Sequence, residues 1–236
     1  MQPWAAAKAA GRMNFALQSG RSKAGRAYLK ALLAQAFAPM PYYTVSPRLA
    51  FACKWCLKYL EARPSSVFAG ICESRQHVRT WYDASGVGRW VAVFLFVDGQ
   101  WYWTRAQVAQ AFLDTLLARR DNYIGMQELL APILALGTWP DTFKAVLWTA
   151  WLDNQGVLHS LLKGSSGSPE ANELVGSLWL SLARDFVDLF CARVESKSNV
   201  ADGPTRNCFQ WVEKLRAIWT EPSWPRWAES VWTSSE

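Results

Sequence analysis

The chain has 236 residues, of which 51% are hydrophobic and 19% charged, and it carries a net charge of +6. That composition gives room for one large domain or two small ones around a sizeable core, and it excludes global disorder. The longest apolar run, residues 91–97, is far short of the ~20 residues a membrane-spanning helix needs, and the positive charge suits a polyanionic partner. The fifteen tryptophans are expected mostly in the core, where Trp buries a large area, with a few available to stack on bases.

In chain order, residues 1–12 are Ala-rich and expected to be poorly ordered. Residues 13–37 read as a helix with Tyr28, Leu29, Leu32, Leu33 and Ala36 on its apolar face. Pro39, Pro41 and Pro47 mark a loop. A second helix is expected over 49–61, with Leu49, Cys53, Cys56, Leu57 and Leu60 on one side, and a domain boundary between about 64 and 78. No Asp or Glu occurs before Glu61, while Lys8, Arg12, Arg21, Lys23, Arg26, Lys30, Arg48, Lys54 and Lys58 do. An organelle transit peptide shares that bias.

The hydrophobic period then changes from 3.6 to 2. Strands are expected over 79–85, 89–97 and 100–104, with Asp98-Gly99 as a hairpin turn. A helix over 106–119 precedes another over 123–138. The apolar run 144–152 reads as a buried strand, and Asn154 as the cap of a short helix over 155–162. Residues 163–168 form a Gly/Ser loop. Leu174, Leu178, Leu182 and Phe186 recur every fourth residue in a long helix over 169–188. A fifth strand over 189–194, a helix over 208–219 and a loose Trp/Pro/Ser-rich tail complete the chain. The expected fold is α/β, a five-stranded mixed sheet flanked by helices and preceded by a small helical segment. The domains are 1–75 (basic, helical), 79–206 (the sheet) and 207–236 (a last helix and tail).

Five cysteines, 53, 56, 72, 191 and 208, include one C-x-x-C but no second pair or histidine at zinc spacing, so a zinc site is not expected. An odd count without a secretory signal fits reduced thiols inside a cell. The nucleus or cytoplasm is expected, or an organelle if the basic start is a transit peptide.

Four acids carry the chemistry. Asp83 follows the first strand, Glu128 lies on the helix after the sheet's third strand, Asp153 ends the fourth strand, and Asp202 follows the fifth. Ligand sites of open α/β sheets collect at the C-terminal ends of strands. Four converging carboxylates repel one another unless cations neutralise them, and Mg²⁺ or Mn²⁺ is the hard-ion solution. Two such ions about 3.5–4 Å apart activate water for phosphodiester hydrolysis. Taken singly, each acid also reads as surface charge or a cap, and Asp153-Asn154 as ordinary helix-start chemistry.

The blocks around these acids, Tyr82-Asp83-Ala84-Ser85, Gln127-Glu128-Leu129-Leu130-Ala131, Leu152-Asp153-Asn154 and Asn199-Val200-Ala201-Asp202-Gly203-Pro204-Thr205-Arg206, resemble the four motif blocks of the ribonuclease H domain of retrotransposon reverse transcriptases, DIRS-like and gypsy-like, in family order. The likeness covers residues 79–206. Gly11-Arg12-Met13-Asn14-Phe15 and Gly25-Arg26-Ala27-Tyr28-Leu29 resemble the thumb and connection that precede that domain. The resemblance implies a ribonuclease H-like fold and hydrolysis of the RNA strand of RNA/DNA hybrids with two Mg²⁺ or Mn²⁺ ions. Asp83 and Asp153 would hold both ions, and Glu128 and Asp202 one each. Ser85, Asn154, Asn199 and Arg206, with Arg12, Arg21, Lys23 and Arg26, are expected to contact the hybrid by its backbone and 2′-hydroxyls.

No polymerase palm precedes residue 11, so the chain is expected to be the C-terminal piece of a retroelement polyprotein, unable to polymerise alone and possible partner to a separate polymerase chain. His159 has a surface reading and a proton-transfer reading. The alternative function is a catalytically inactive nucleic-acid-binding remnant of the same fold. Another nuclease or recombinase of that fold, or an unrelated basic interaction protein, are further alternatives.

Overall fold

The computed structural model describes residues 1–18, 23–37, 45–62, 75–117 and 123–228. In chain order the elements are α1 (Pro3–Gln18), α2 (Arg26–Phe37), α3 (Pro47–Ala62), β1 (His77–Ala84), β2 (Trp90–Val97), β3 (Gln100–Gln107), α4 (Gln110–Leu117) and α5 (Tyr123–Thr138). They continue with β4 (Leu147–Leu152), α6 (Gln155–Lys163), α7 (Pro169–Arg184), β5 (Asp188–Arg193), a 3₁₀ turn (Ser196–Ser198), α8 (Asp202–Thr205), α9 (Gln210–Leu215) and β6 (Ile218–Trp219). The chain divides into two units: Met1–Glu73 with Lys163–Phe186, and Ser74–Leu162 with Val187–Glu236.

The first unit is helical. Contrary to expectation, residues 3–12 are ordered as part of α1: alanine is the strongest helix former, and Ala6, Ala10, Met13 and Leu17 are buried along one side. The helix expected over 13–37 is therefore two helices. Tyr28 on α2 is the aromatic centre, stacked on Trp55 at 4.5 Å with Phe51 at 5.6 Å. On α7, Ser168 caps the helix by accepting from Ala171 N. The helix stops at Arg184, not 188, because Phe186 turns left-handed at φ 55°.

The second unit is a mixed sheet in the order β5-β4-β1-β2-β3-β6. β1, β2 and β3 are antiparallel neighbours, while β4 runs parallel to β1, and β5 to β4. The mixed α/β sheet flanked by helices is as expected, with a sixth strand added. The β2–β3 turn is Asp98-Gly99 with both φ positive, 50° and 79°, the backbone a two-residue hairpin demands. β3 extends three residues past the expected 104 because Ala106 and Gln107 still pair with Val91 and Trp90. β4 starts at Leu147, since Ala145 is left-handed at φ 54°.

One face of the sheet is the core. Val78, Thr80, Tyr82, Val93, Leu95, Trp148, Ala150 and Leu152 are all buried, and α5 packs against β1 and β2. Inside it, the Trp148 indole donates to Thr80 Oγ1 at 2.7 Å, and Thr80 is bonded to the Tyr82 hydroxyl.

The C-terminal region departs from expectation. α9 ends at Leu215, because Arg216 is left-handed at φ 49° and donates back to Glu213 and Val212. The β-branched and aromatic pair Ile218-Trp219 then lies parallel to β3. The tail through 228 is anchored rather than loose. Ser223 N donates to Thr138 Oγ1 at 3.2 Å, Trp139 Nε1 to Thr220 Oγ1 at 3.2 Å, and Ala228 is fully buried.

Candidate active site

All four acids belong to the sheet unit. Asp83 is the penultimate residue of β1 and Asp153 directly follows β4. These strands are parallel neighbours, so both carboxylates emerge at the same end of the sheet. Glu128 sits on α5, which packs on β1, and Asp202 opens α8, which also packs on β1.

Asp83 and Glu128 are buried. Burial pushes Asp83 up to about 7, helped by the negative charges of Asp153 and Asp202; the Thr205 hydrogen bond and the Arg206 charge pull the other way. Burial pushes Glu128 up to about 8, with Asp153 and Asp83 adding to it and a hydrogen bond from Asn154 opposing. Each acid thus feels the charges of two others, which is the electrostatic mark of a shared site.

The partners are specific. Thr205 Oγ1 donates to Asp83 Oδ2 at 2.5 Å and lies 2.9 Å from the Asp202 carbonyl. Ser196 donates to Asp153 Oδ2 at 3.0 Å. Arg206 pairs with Asp202 Oδ1 at 2.8 Å, one helical turn away. Asn199, only 3% exposed, donates to the Tyr82 carbonyl at 2.7 Å and accepts from Ala201 N at 3.2 Å. That clamp ties the segment carrying Asp202 to the residue before Asp83. Arg105 on β3 holds the other end of α8, donating to Pro204 O at 3.1 Å and Asn207 Oδ1 at 2.7 Å. Gly203 is required by close approach, since a Cβ there would stand 2.6 Å from Cys208 O.

Ser85 serves the turn after β1, accepting from Val87 N at 3.2 Å. Asn154 caps α6 as expected, its Oδ1 accepting from Gly156 N at 2.8 Å and Val157 N at 3.2 Å, while its amide faces Glu128. His159 is exposed on α6. In the helical unit, Arg12 and Arg26 are exposed on α1 and α2, and Lys23 Nζ lies 5.4 Å from the Trp179 ring centre. Arg21 lies outside the described residues. Thr205, Ser196 and Arg105 carry no role in the sequence reading. Thr205 stands within the fourth block, where its donor reach to Asp83 was the missed signal. Ser196 and Arg105 act across the fold and leave no local mark.

The donor set suits a divalent cation: hard carboxylate oxygens, partly desolvated and mutually repelling. Among the described residues, however, no three His, Cys, Asp or Glu side chains close on a common point ready to hold an ion. Asp202 is turned to Arg206 and Asp83 to Thr205, so a cation would have to draw them from those partners.

No protein-family model matches the chain, and no curated protein sequence does. Among solved structures, the ribonuclease H1 of the halophilic archaeon Halobacterium salinarum is similar with a TM-score of 0.38 and 18% identity, over 55% of this chain and 92% of that one. So loose a likeness carries nothing about chemistry. No described helix is long and apolar enough to cross a membrane.

Proposed function

We propose that the chain is a divalent-cation-dependent nuclease of the ribonuclease H type that hydrolyses the RNA strand of RNA/DNA hybrids, and that it derives from a retroelement reverse transcriptase. The observation that carries this reading is that the buried carboxyls of Asp83 and Glu128 are both raised in part by the charge of Asp153, and Asp83 also by that of Asp202, with Asp83 and Asp153 on neighbouring parallel strands at one end of the sheet. Asp83 and Asp153 would hold two Mg²⁺ or Mn²⁺ ions in common, with Glu128 and Asp202 holding one each. Bound there, the ions supply an activated water and charge compensation for the leaving oxygen.

The chain's own groups do the positioning. Thr205 aims Asp83 and Asn154 orients Glu128. Asn199 and Arg105 fix the segment that delivers Asp202. Arg206 is exposed and is placed to exchange Asp202 for a phosphate oxygen. Asp83 and Glu128 must shed their protons to act as ligands, so activity rises with pH toward 7 to 8. A polymerase carried on a separate chain is part of the same proposal.

A second reading, an inactive nucleic-acid-binding protein of the same fold, draws support from the Arg206–Asp202 pairing and the absence of a closed acid cluster among the described residues. The test is cleavage of an end-labelled RNA/DNA hybrid with Mg²⁺ or Mn²⁺, beside Asp83→Asn. Metal-dependent RNA cutting lost in the variant supports the nuclease. Folded protein that binds the hybrid without cutting it refutes the nuclease and leaves the second reading.

A further inference from the structure

Side chains alternate across a strand, so the face opposite the core is set by register. On β1 the outward residues are Arg79, Trp81 and Asp83. Arg79 pairs with Phe96, which pairs with Trp101; Trp81 pairs with Trp151 on β4. On the other side of Arg79, its β4 partner Thr149 pairs with Phe190 on β5, which ends the row. These are aromatic where a solvated sheet face is ordinarily polar. The rings touch one another, with Trp81 4.9 Å from Trp101 and 6.4 Å from Trp151 at an interplanar angle of 9°, and Phe96 4.9 Å from Trp101.

They are also open. Phe190 is 66% exposed, Arg79 is exposed, and Trp81, Phe96, Trp101 and Trp151 are only half-buried. The inward residues of the same strands, Thr80 and Trp148 among them, are fully buried, and so is Phe94 beside Trp81 on the outward face, so the open part of that face is the row through Arg79. From β5 to β3 the row crosses four strand gaps, roughly 19 Å.

We propose that this face is a binding platform for single-stranded nucleic acid. Three observations select that occupant. Aromatic rings across an open sheet offer stacking surfaces to unpaired bases, a recognition mode that tolerates any sequence. The exposed Arg79 stands among the rings, where a guanidinium can pair with a phosphate oxygen of the backbone. The row is also continuous with the carboxylate site, because Asp83 is the next outward residue after Trp81, about 7 Å further along β1. The platform itself does not depend on those acids being catalytic.

The test is fluorescence anisotropy of labelled oligo-uridine and oligo-thymidine, in EDTA so that no metal-dependent cutting occurs. A sugar-phosphate oligomer of equal length lacking bases is the probe of stacking. The wild type binds both oligonucleotides with quenching of tryptophan emission, and binds the base-free oligomer at least about tenfold more weakly. Phe190→Ser and Arg79→Ser, both at exposed positions and so compatible with folding, weaken oligonucleotide binding about tenfold. Trp211→Ala, at an exposed position on α9, does not. Trp151→Ala abolishes the quenching, with circular dichroism checking its fold. Equal binding of the base-free oligomer, or unchanged binding in Phe190→Ser and Arg79→Ser, overturns the proposal. So does a wild type that self-associates through this face and dissociates in Phe190→Ser without binding either oligonucleotide.

Discussion

Replacing Asp83 by Asn is expected to make the protein inactive and more stable at once. The substitution keeps the acceptor that Thr205 donates to but removes a charge that burial disfavours. Asp83 is raised from 3.8 to about 7. At about 1.4 kcal/mol per pH unit, the ionised side chain costs the folded state up to about 4 kcal/mol above pH 7. Removing the charge relieves both its desolvation and its repulsion from Asp153 and Asp202, while the buried amide costs some solvation in return, so the expected gain is about 2–4 kcal/mol.

The sign follows from linkage. A carboxyl raised on folding leaves the folded state binding more protons than the unfolded chain, so wild-type stability falls as pH rises through the window from 3.8 to about 7. Asn has no such window. The two proteins should match near about pH 4 and diverge up to about pH 8. Urea unfolding in EDTA at both pH values measures the gap. An Asp83→Asn protein no more stable than wild type near pH 8 would refute the claim that the charge is held against its solvation.

Thr205→Val removes the hydrogen bond that lowers Asp83, so Asp83 ionises later and the rise of cleavage with pH moves to higher pH; a pH–rate profile measures the displacement. Asn199→Ala strips the Tyr82 carbonyl of its buried donor, costing about 1–3 kcal/mol in denaturant unfolding. Gly203→Ala drives a Cβ to 2.6 Å from Cys208 O. It should displace α8 and weaken Mn²⁺ binding while leaving the β-sheet signal in circular dichroism intact.

How legible these features were depends on whether their causes are local. The Asp98-Gly99 hairpin and the Asn154 cap followed from turn and cap chemistry, and Tyr123–Thr138 matched its expected bounds because it is apolar almost throughout. Residues 3–12 were misjudged because an alanine-rich stretch has little amphipathic contrast; its order comes from neighbours such as α2. β6 was hidden in a helical reading because two residues pairing with a strand more than a hundred positions earlier leave no periodic trace.

The acids were readable as blocks because each sits beside a strand end or on the helix that follows. Their hydrogen-bond partners were not. Arg206 turning to Asp202, and Asn199 reaching the Tyr82 carbonyl, are matters of tertiary geometry. The aromatic platform was equally unreadable as a surface. Fifteen tryptophans look like core filler until register shows which of them face outward.

The central claim is that four acids form one divalent-cation site, and calorimetric titration with Mn²⁺ at about pH 8 tests it most directly, since both buried carboxyls are then free to deprotonate. The account predicts saturable binding in the wild type, weakened in Asp202→Asn and lost in Asp83→Asn and Asp153→Asn, with proton release that grows as pH falls below 8. No saturable heat in a folded wild type, or equal binding in all three variants, would contradict it.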